Sequence, residues 1–397
     1  MSLTTLNIRL QSLAIFRALL NDPVIASLSA YLESLEQASV SASVAKYAAF
    51  VSNLYGSGNR TLAGYIQHIV NNDENAYIRM IGKGAQPWPE MDMDVWKELD
   101  ILQSVADLTL ESLRQGLDWE GYLPVFAVKK LNIAESYRER CANINQYGYG
   151  IYAKHAMFYI NAENKIVPVH NPDKTRLSSL IDYKREQQII LENTMALLEG
   201  KPAANILLTG DAGTGKSSTV KAVVNELSCK GLRILEVRKE QLTVIPAILD
   251  ELNSNPLKFI LFIDDLSFQK DDDNFGALKA ILEGSVSAKS RNVVIYATSN
   301  RRHLVKESFS SRDGDDIHRN DTMQEVISLS ERFGIQVTFQ KPNKQTYLGI
   351  VHHLAKEKGV QMEESELDML AERYALGRGG RSARAATQFI DGLLAKQ

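Results

Sequence analysis

The chain has 397 residues, 44% of them hydrophobic and 8% aromatic, enough apolar material for two buried cores and too much for extended disorder. A formal net charge of −3, evenly spread, argues against a bulk basic surface for nucleic acid or anionic membrane, leaving only a local basic patch open. Two distant cysteines, Cys141 and Cys229, exclude a disulfide framework or structural zinc site and fit a reducing compartment.

Taken in chain order, the opening MSLTTLNIRLQSLAIFRALLNDP is interrupted every few positions by polar or basic residues. Leu6, Leu10 and Leu13, then Phe16, Leu19 and Leu20, recur at helical spacing, which predicts an amphipathic helix rather than a secretion signal. No later run reaches the ~18 unbroken apolar residues of a membrane span, so a cytoplasmic protein without membrane association is expected. Asp22-Pro23 breaks the first helix and can begin a second. Amphipathic patterns follow over 27–55, 60–81 and 92–116, with the turn-rich GKGAQPWPEMD between the last two. VFAV (125–128) and MFYI (157–160) look β-like, and NAENKIVPVHNPDKTR reads as a polar linker.

From about 178 the texture changes. Five short apolar runs, NILLT (205–209), RILEV (233–237), FILFI (259–263), NVVIYAT (292–298) and IQVTF (335–339), alternate with helical patterns. This predicts a doubly wound α/β sheet of buried parallel strands. Beyond Pro342 the pattern is purely helical, over 344–358, 363–375 and 381–395 with glycine punctuation, which predicts a three-helix lid.

Behind the first of these strands stands Gly210-Asp211-Ala212-Gly213-Thr214-Gly215-Lys216-Ser217, a complete GxxxxGK[ST] phosphate loop, with Ser218 opening the helix that follows. Glycines let successive main-chain N–H groups turn toward phosphate oxygens, and the helix N-terminus adds its dipole. Lys216 can reach the β- and γ-phosphates, and the Ser217 hydroxyl can ligate Mg²⁺. The bound nucleotide is expected to be ATP with Mg²⁺; no NKxD guanine-reading segment follows. FILFI ends in Asp264-Asp265, at the strand edge where open α/β sheets bind ligands. Asp264 is placed to hold Mg²⁺ and Asp265 to polarise the attacking water. The next strand ends in Asn300, a polar amide able to hold that water or the γ-phosphate.

With these elements in order, residues 180–397 resemble the AAA+ superfamily. The likeness rests on Leu180-Ile181-Asp182-Tyr183 before the P-loop, the two acidic and glycine-rich motifs, ATSN, SLSERFG (328–334) and GGRSARAATQFID (379–391). It implies an α/β P-loop domain over 178–342, a helical lid over 343–397 and a mostly helical N-terminal region with linker over 1–177. It further implies that Ile181 and Tyr183 lie near adenine and that Arg332 is an arginine finger reaching a neighbouring subunit's γ-phosphate. Arg384 would sense nucleotide from the lid, with Arg381 the alternative. ATSNRRHL, RDGDDIHRNDTMQE and SLSERFG together are similar to the DUF815 family of predicted bacterial ATPases. AAA+ proteins usually carry glutamate second in the acidic pair; here it is Asp265, and DDL looks usual for the DUF815 group. Gln269 stands where that group suggests an acid.

The expected function is ATP hydrolysis within a ring or helical oligomer, used to remodel or regulate a macromolecular partner held by the N-terminal region. Two alternatives stay open: a nucleotide-gated switch that turns over slowly or not at all, kept alive by the shorter Asp265, and a nucleic-acid loader using Arg301, Arg302 and Arg378. The near-neutral charge does not favour the loader. Arg301-Arg302-His303 could equally line a subunit or effector surface, and the charged loop 310–325 is a candidate element to respond to nucleotide state.

Overall fold

The computed structural model describes residues 2–267, 273–283, 291–300 and 331–395. Gln269, Arg301, Arg302, His303 and the loop 310–325 lie outside the described residues. The chain forms two compact units, Met1–Lys154 and His155–Gln397.

The first unit is helical, and each long amphipathic stretch is divided in two by an N-cap. Pro23–Gln37 gives way to Val40–Gly56 at Ser39, Leu62–Asn71 to Ala76–Gly82 at Asn75, and Pro89–Ala106 to Leu110–Arg114 at Thr109. In each case the capping side chain accepts a main-chain N–H of the new helix, which makes a fresh start cheaper than continuation. Asp22 does the same ahead of Pro23, whose missing N–H costs nothing at a first helical position. The core holds Phe16, Tyr31, Tyr47, Phe50 and Tyr137. Its buried phenols find acceptors: Tyr31 donates to Leu113 O at 2.7 Å and Tyr47 to Pro124 O at 2.9 Å. VFAV is not a strand; only Ala127 makes a single bridge, to Thr61.

The second unit carries a seven-stranded sheet. Its strands are β1 (Met157–Ile160), β2 (Ile166–Pro168), β3 (Ile206–Gly210), β4 (Leu232–Val237), β5 (Lys258–Ile263), β6 (Val293–Ser299) and β7 (Ile335–Phe339). They lie in the order β2-β1-β4-β5-β6-β3-β7. All neighbours are parallel except β1 and β2. The five expected strands are therefore all present; β3, β4, β5 and β6 are buried on both faces as a helix-covered parallel sheet requires, while the edge strand β7 buries Val337 and Phe339 and exposes Gln336.

The polar stretch after MFYI is a hairpin, not a linker, and it lies in the second compact unit, which begins at His155. Asn161 Oδ1 accepts the N–H groups of Glu163 and Lys165, and Asn164 takes the left-handed conformation, so the polar residues make the turn themselves. β1 then pairs in parallel with β4 and extends the sheet. Beyond β7, the helices Lys344–Lys358, Glu364–Gly377 and Ala383–Leu394 build a separate small core around Tyr347, Val351, Ala371 and Ile390, the three-helix lid expected from the sequence. The second unit is thus a mainly parallel α/β sheet with a C-terminal helical lid, and the first unit is helical, as expected from the sequence.

Candidate nucleotide site

The strand order reverses at β3, which feeds β4 on one side while β7 returns to its other side. Such a switch point opens a crevice at the C-terminal strand ends. β3 delivers the glycine-rich loop there, β5 delivers Asp264 and Asp265, and β6 delivers Asn300.

The loop is held open by its glycines. Gly210 has φ 141°, and a Cβ there would collide with the Phe339 carbonyl oxygen. Gly213 has φ 80°, and a Cβ would lie 3.0 Å from Arg384 Cβ and 3.2 Å from Ser382 Oγ. Hydrogen bonding in the following helix, Lys216–Leu227, begins with Thr219 N–H donating to Gly215 O at 2.8 Å. The N–H groups of Gly215, Lys216, Ser217 and Ser218 meet no acceptor among the described residues. A left-handed loop ending in free main-chain donors at a helix N-terminus fits a phosphate group.

Lys216 is 5% exposed and spends its three donors inside the site. Nζ donates to Gly210 O at 2.7 Å, Asp211 O at 2.9 Å and Asn300 Oδ1 at 3.0 Å. Burial pulls its pKa below the ordinary lysine value, opposed by Asp264, Asp211 and Asp265, while Arg384 adds to the lowering. Asn300 in turn donates Nδ2–H to Asp265 Oδ1 at 2.6 Å. Ser217 Oγ donates to Asp264 Oδ1 at 2.6 Å. Ser217 and Asp264 thus supply a hydroxyl and a carboxylate side by side, an oxygen pair suited to a Mg²⁺ ion that keeps several of its waters. Among the described residues no cluster of three or more His, Cys, Asp or Glu offers a rival metal site.

Sequence reasoning missed Thr298. Its hydroxyl, 2% exposed, donates to Asp264 Oδ1 at 2.5 Å and accepts Asp265 N–H at 2.9 Å. The available signal was a hydroxyl two residues before Asn300 near the end of a mostly apolar strand, a spacing that puts both side chains on one face.

The remaining expected residues separate into those at the loop and those apart from it. Ile181 packs on the lid core, whereas Tyr183 packs on the sheet core, its ring 4.9 Å from Phe339 and its hydroxyl donating to Gln340 O. The segment before the P-loop therefore straddles sheet and lid. Arg384 meets the loop, its N–H donating to Gly213 O at 3.3 Å. Arg381 is held within the lid by a bidentate pair with Glu372, at 2.8 and 2.7 Å. Arg332 precedes β7 at the opposite end of the sheet from the loop. Ile335 stands beside Ile206 and Phe339 beside Gly210, so about 13 Å of strand lies between that end and the P-loop.

Residues 152–397 match the family described as "Protein of unknown function (DUF815)". The chain belongs to the DUF815 family. The matched span begins beside the boundary between the two compact units and covers the whole sheet and lid. Among solved structures, the DUF815 chain is similar to the RuvB Holliday junction branch migration motor of Thermotoga maritima, at 18% identity and a TM-score of 0.38. That match covers 55% of this chain and 63% of the RuvB chain, less than two thirds of it. A proline-to-glycine mutant of the same RuvB gives 20% identity, 54% and 64% coverage and the same TM-score of 0.38. No curated protein matches. Among the described residues, no helix is long and apolar enough to cross a membrane.

Proposed function

We propose that this DUF815 protein is a Mg²⁺-dependent ATPase that hydrolyses ATP in a ring or helical oligomer and uses the cycle to remodel or regulate a macromolecular partner. The observation that carries the reading is Asn300, which joins the phosphate-loop lysine to the second carboxylate of the acidic pair. A purely structural glycine turn has no need of a buried lysine and two strand-tip residues converging on it.

The residues divide the work as follows. Gly210, Asp211, Ala212, Gly213, Thr214, Gly215 and Ser218 form the cradle, and Lys216 neutralises charge on the transferred phosphoryl group. Mg²⁺, held by Ser217 and Asp264, would offset charge on the β- and γ-phosphate oxygens when bound. Asp265, oriented by Asn300, takes the proton as the water oxygen bonds to the γ-phosphorus and the bond to the ADP oxygen breaks. Arg384 senses nucleotide from the lid; its contact with Gly213 supports it over Arg381, which is engaged by Glu372. Ile181 and Tyr183 sit beside the adenine. Arg332 serves a neighbouring subunit's site, a reading supported by its distance from the loop of its own chain. The helical first unit receives the partner.

The test is ATP turnover per subunit as protein concentration rises, for wild type, Lys216→Ala and Arg332→Ala. Turnover that climbs with concentration and disappears in both variants is expected. Full activity in Arg332→Ala would remove the finger assignment, and tight ATP binding without turnover would favour a nucleotide-gated switch.

A further inference from the structure

The second acid is an aspartate where AAA+ proteins usually carry glutamate, and its backbone is unusual. Asp265 has φ 54°, a left-handed conformation that is strained for a non-glycine residue and persists only where neighbours hold it. The hold comes from Thr298. Its hydroxyl accepts Asp265 N–H at 2.9 Å, its carbonyl accepts Leu266 N–H at 2.7 Å, and the same hydroxyl donates to Asp264 Oδ1 at 2.5 Å. Two residues along the same strand face, Asn300 grips Asp265 Oδ1 at 2.6 Å. The i, i+2 spacing of Thr298 and Asn300 is thereby matched to the adjacent carboxylates that follow β5. On this backbone a glutamate would carry its carboxylate about 1.5 Å past the Asn300 amide.

We propose that Thr298 is a positioning residue that fixes the spacing of Asp264 and Asp265 and tunes the site for aspartate rather than glutamate as the second acid. The proposal rests on the ATPase reading for its kinetic consequence. Its effect on the Mg²⁺ carboxylate Asp264 does not require turnover. Through its bond to Oδ1, Thr298 orients Asp264 toward Ser217, whose hydroxyl meets the same oxygen.

The experiment compares wild type with Thr298→Val, Thr298→Ser and Asp265→Glu. A fluorescent ATP analogue is titrated with and without Mg²⁺, and kcat and KM are measured alongside. Losing a partner of a metal-ligating carboxylate costs 10–100-fold, so Thr298→Val should cut the Mg²⁺-dependent gain in affinity by about tenfold while Mg²⁺-free binding is kept. Its kcat should fall by roughly 10²-fold, as expected for an acid displaced by about 1 Å. Thr298→Ser should restore both, because it keeps the hydroxyl. Asp265→Glu should lower kcat despite installing the commoner residue. A Thr298→Val protein with an intact Mg²⁺-dependent gain, a Thr298→Ser protein as impaired as the valine variant, or an Asp265→Glu protein as fast as wild type would overturn the proposal. If wild type binds but does not hydrolyse ATP, the ATPase reading fails and the Mg²⁺ titration still decides the role of Thr298. If Thr298→Val does not fold, Asp265→Glu decides it.

Discussion

Lys216 Nζ donates to Asn300 Oδ1 over 3.0 Å, linking the phosphate loop at the end of β3 to the tip of β6. The amide's other end is already committed to Asp265, so the side chain reads a cation on one side and an anion on the other. Neither aspartate nor leucine can replace it: the first has no donor for Asp265, the second offers nothing to either. Asn300→Ala should leave ATP binding within a few-fold and reduce turnover by on the order of 10²-fold, the usual scale for a misoriented general base. Equal losses in kcat and binding would place Asn300 in the binding surface instead.

A second prediction concerns how closely the lid sits on the loop. Gly213→Ala combines left-handed strain of about 1–2 kcal/mol with a Cβ 3.0 Å from Arg384 Cβ, so the start of the helix Ala383–Leu394 must withdraw. Gly215→Ala is the control, since it has φ 95° but open space around its Cβ. Hydrogen exchange at the Arg384 amide, which donates to Gly213 O, should accelerate in Gly213→Ala and stay unchanged in Gly215→Ala. Acceleration in both would mean strain alone loosens the contact.

The strands and the three lid helices were legible because burial and periodicity are local properties, and the phosphate loop because its eight positions must be contiguous. The hairpin 157–168 was not. β2 has only three residues, one of them Pro168, and its turn is polar, so the local pattern looks like a linker until β4 supplies a pairing edge. VFAV failed the other way: its composition suits a strand, but only Ala127 finds a strand-like partner. Thr298 was missed because its spacing to Asn300 acquires meaning only once Asp264 and Asp265 are known to face it. The pairing of Arg381 with Glu372 was equally out of reach, because Glu372 lies nine residues before Arg381 and on another helix.

That same pair sets a pH dependence in the lid. The Arg381 guanidinium holds the Glu372 carboxyl below its ordinary value of 4.5. A carboxylate with a lowered folded pKa stabilises fully above its unfolded pKa, and the contribution is lost as pH falls through the folded value. Lid stability should therefore be flat at neutral pH and decline below about pH 4.5. Glu372→Gln should flatten that decline in acid urea melts followed by hydrogen exchange in the helix Glu364–Gly377, while an unchanged decline would assign it to other carboxylates.

The first unit offers a separate test of what a strongly buried carboxylate contributes. Glu98 is 6% exposed and faces a run of main-chain donors instead of a cation. Its oxygens accept the N–H groups of Ala14 at 2.8 Å, Ile15 at 3.0 and 3.1 Å, and Phe16 at 2.9 Å. These groups lie between two helical segments, where no helix could satisfy them. Glu98→Ala would leave several buried donors without a partner and should lower stability by about 3 kcal/mol or more. Glu98→Gln places an amide donor among donors and should recover only part of the loss. All three tryptophans, Trp88, Trp96 and Trp119, lie in this unit, so their fluorescence in urea follows its unfolding within the full chain. A midpoint unchanged in Glu98→Ala would mean that water replaces the carboxylate at little cost, and that packing around Phe16 alone fixes this bend.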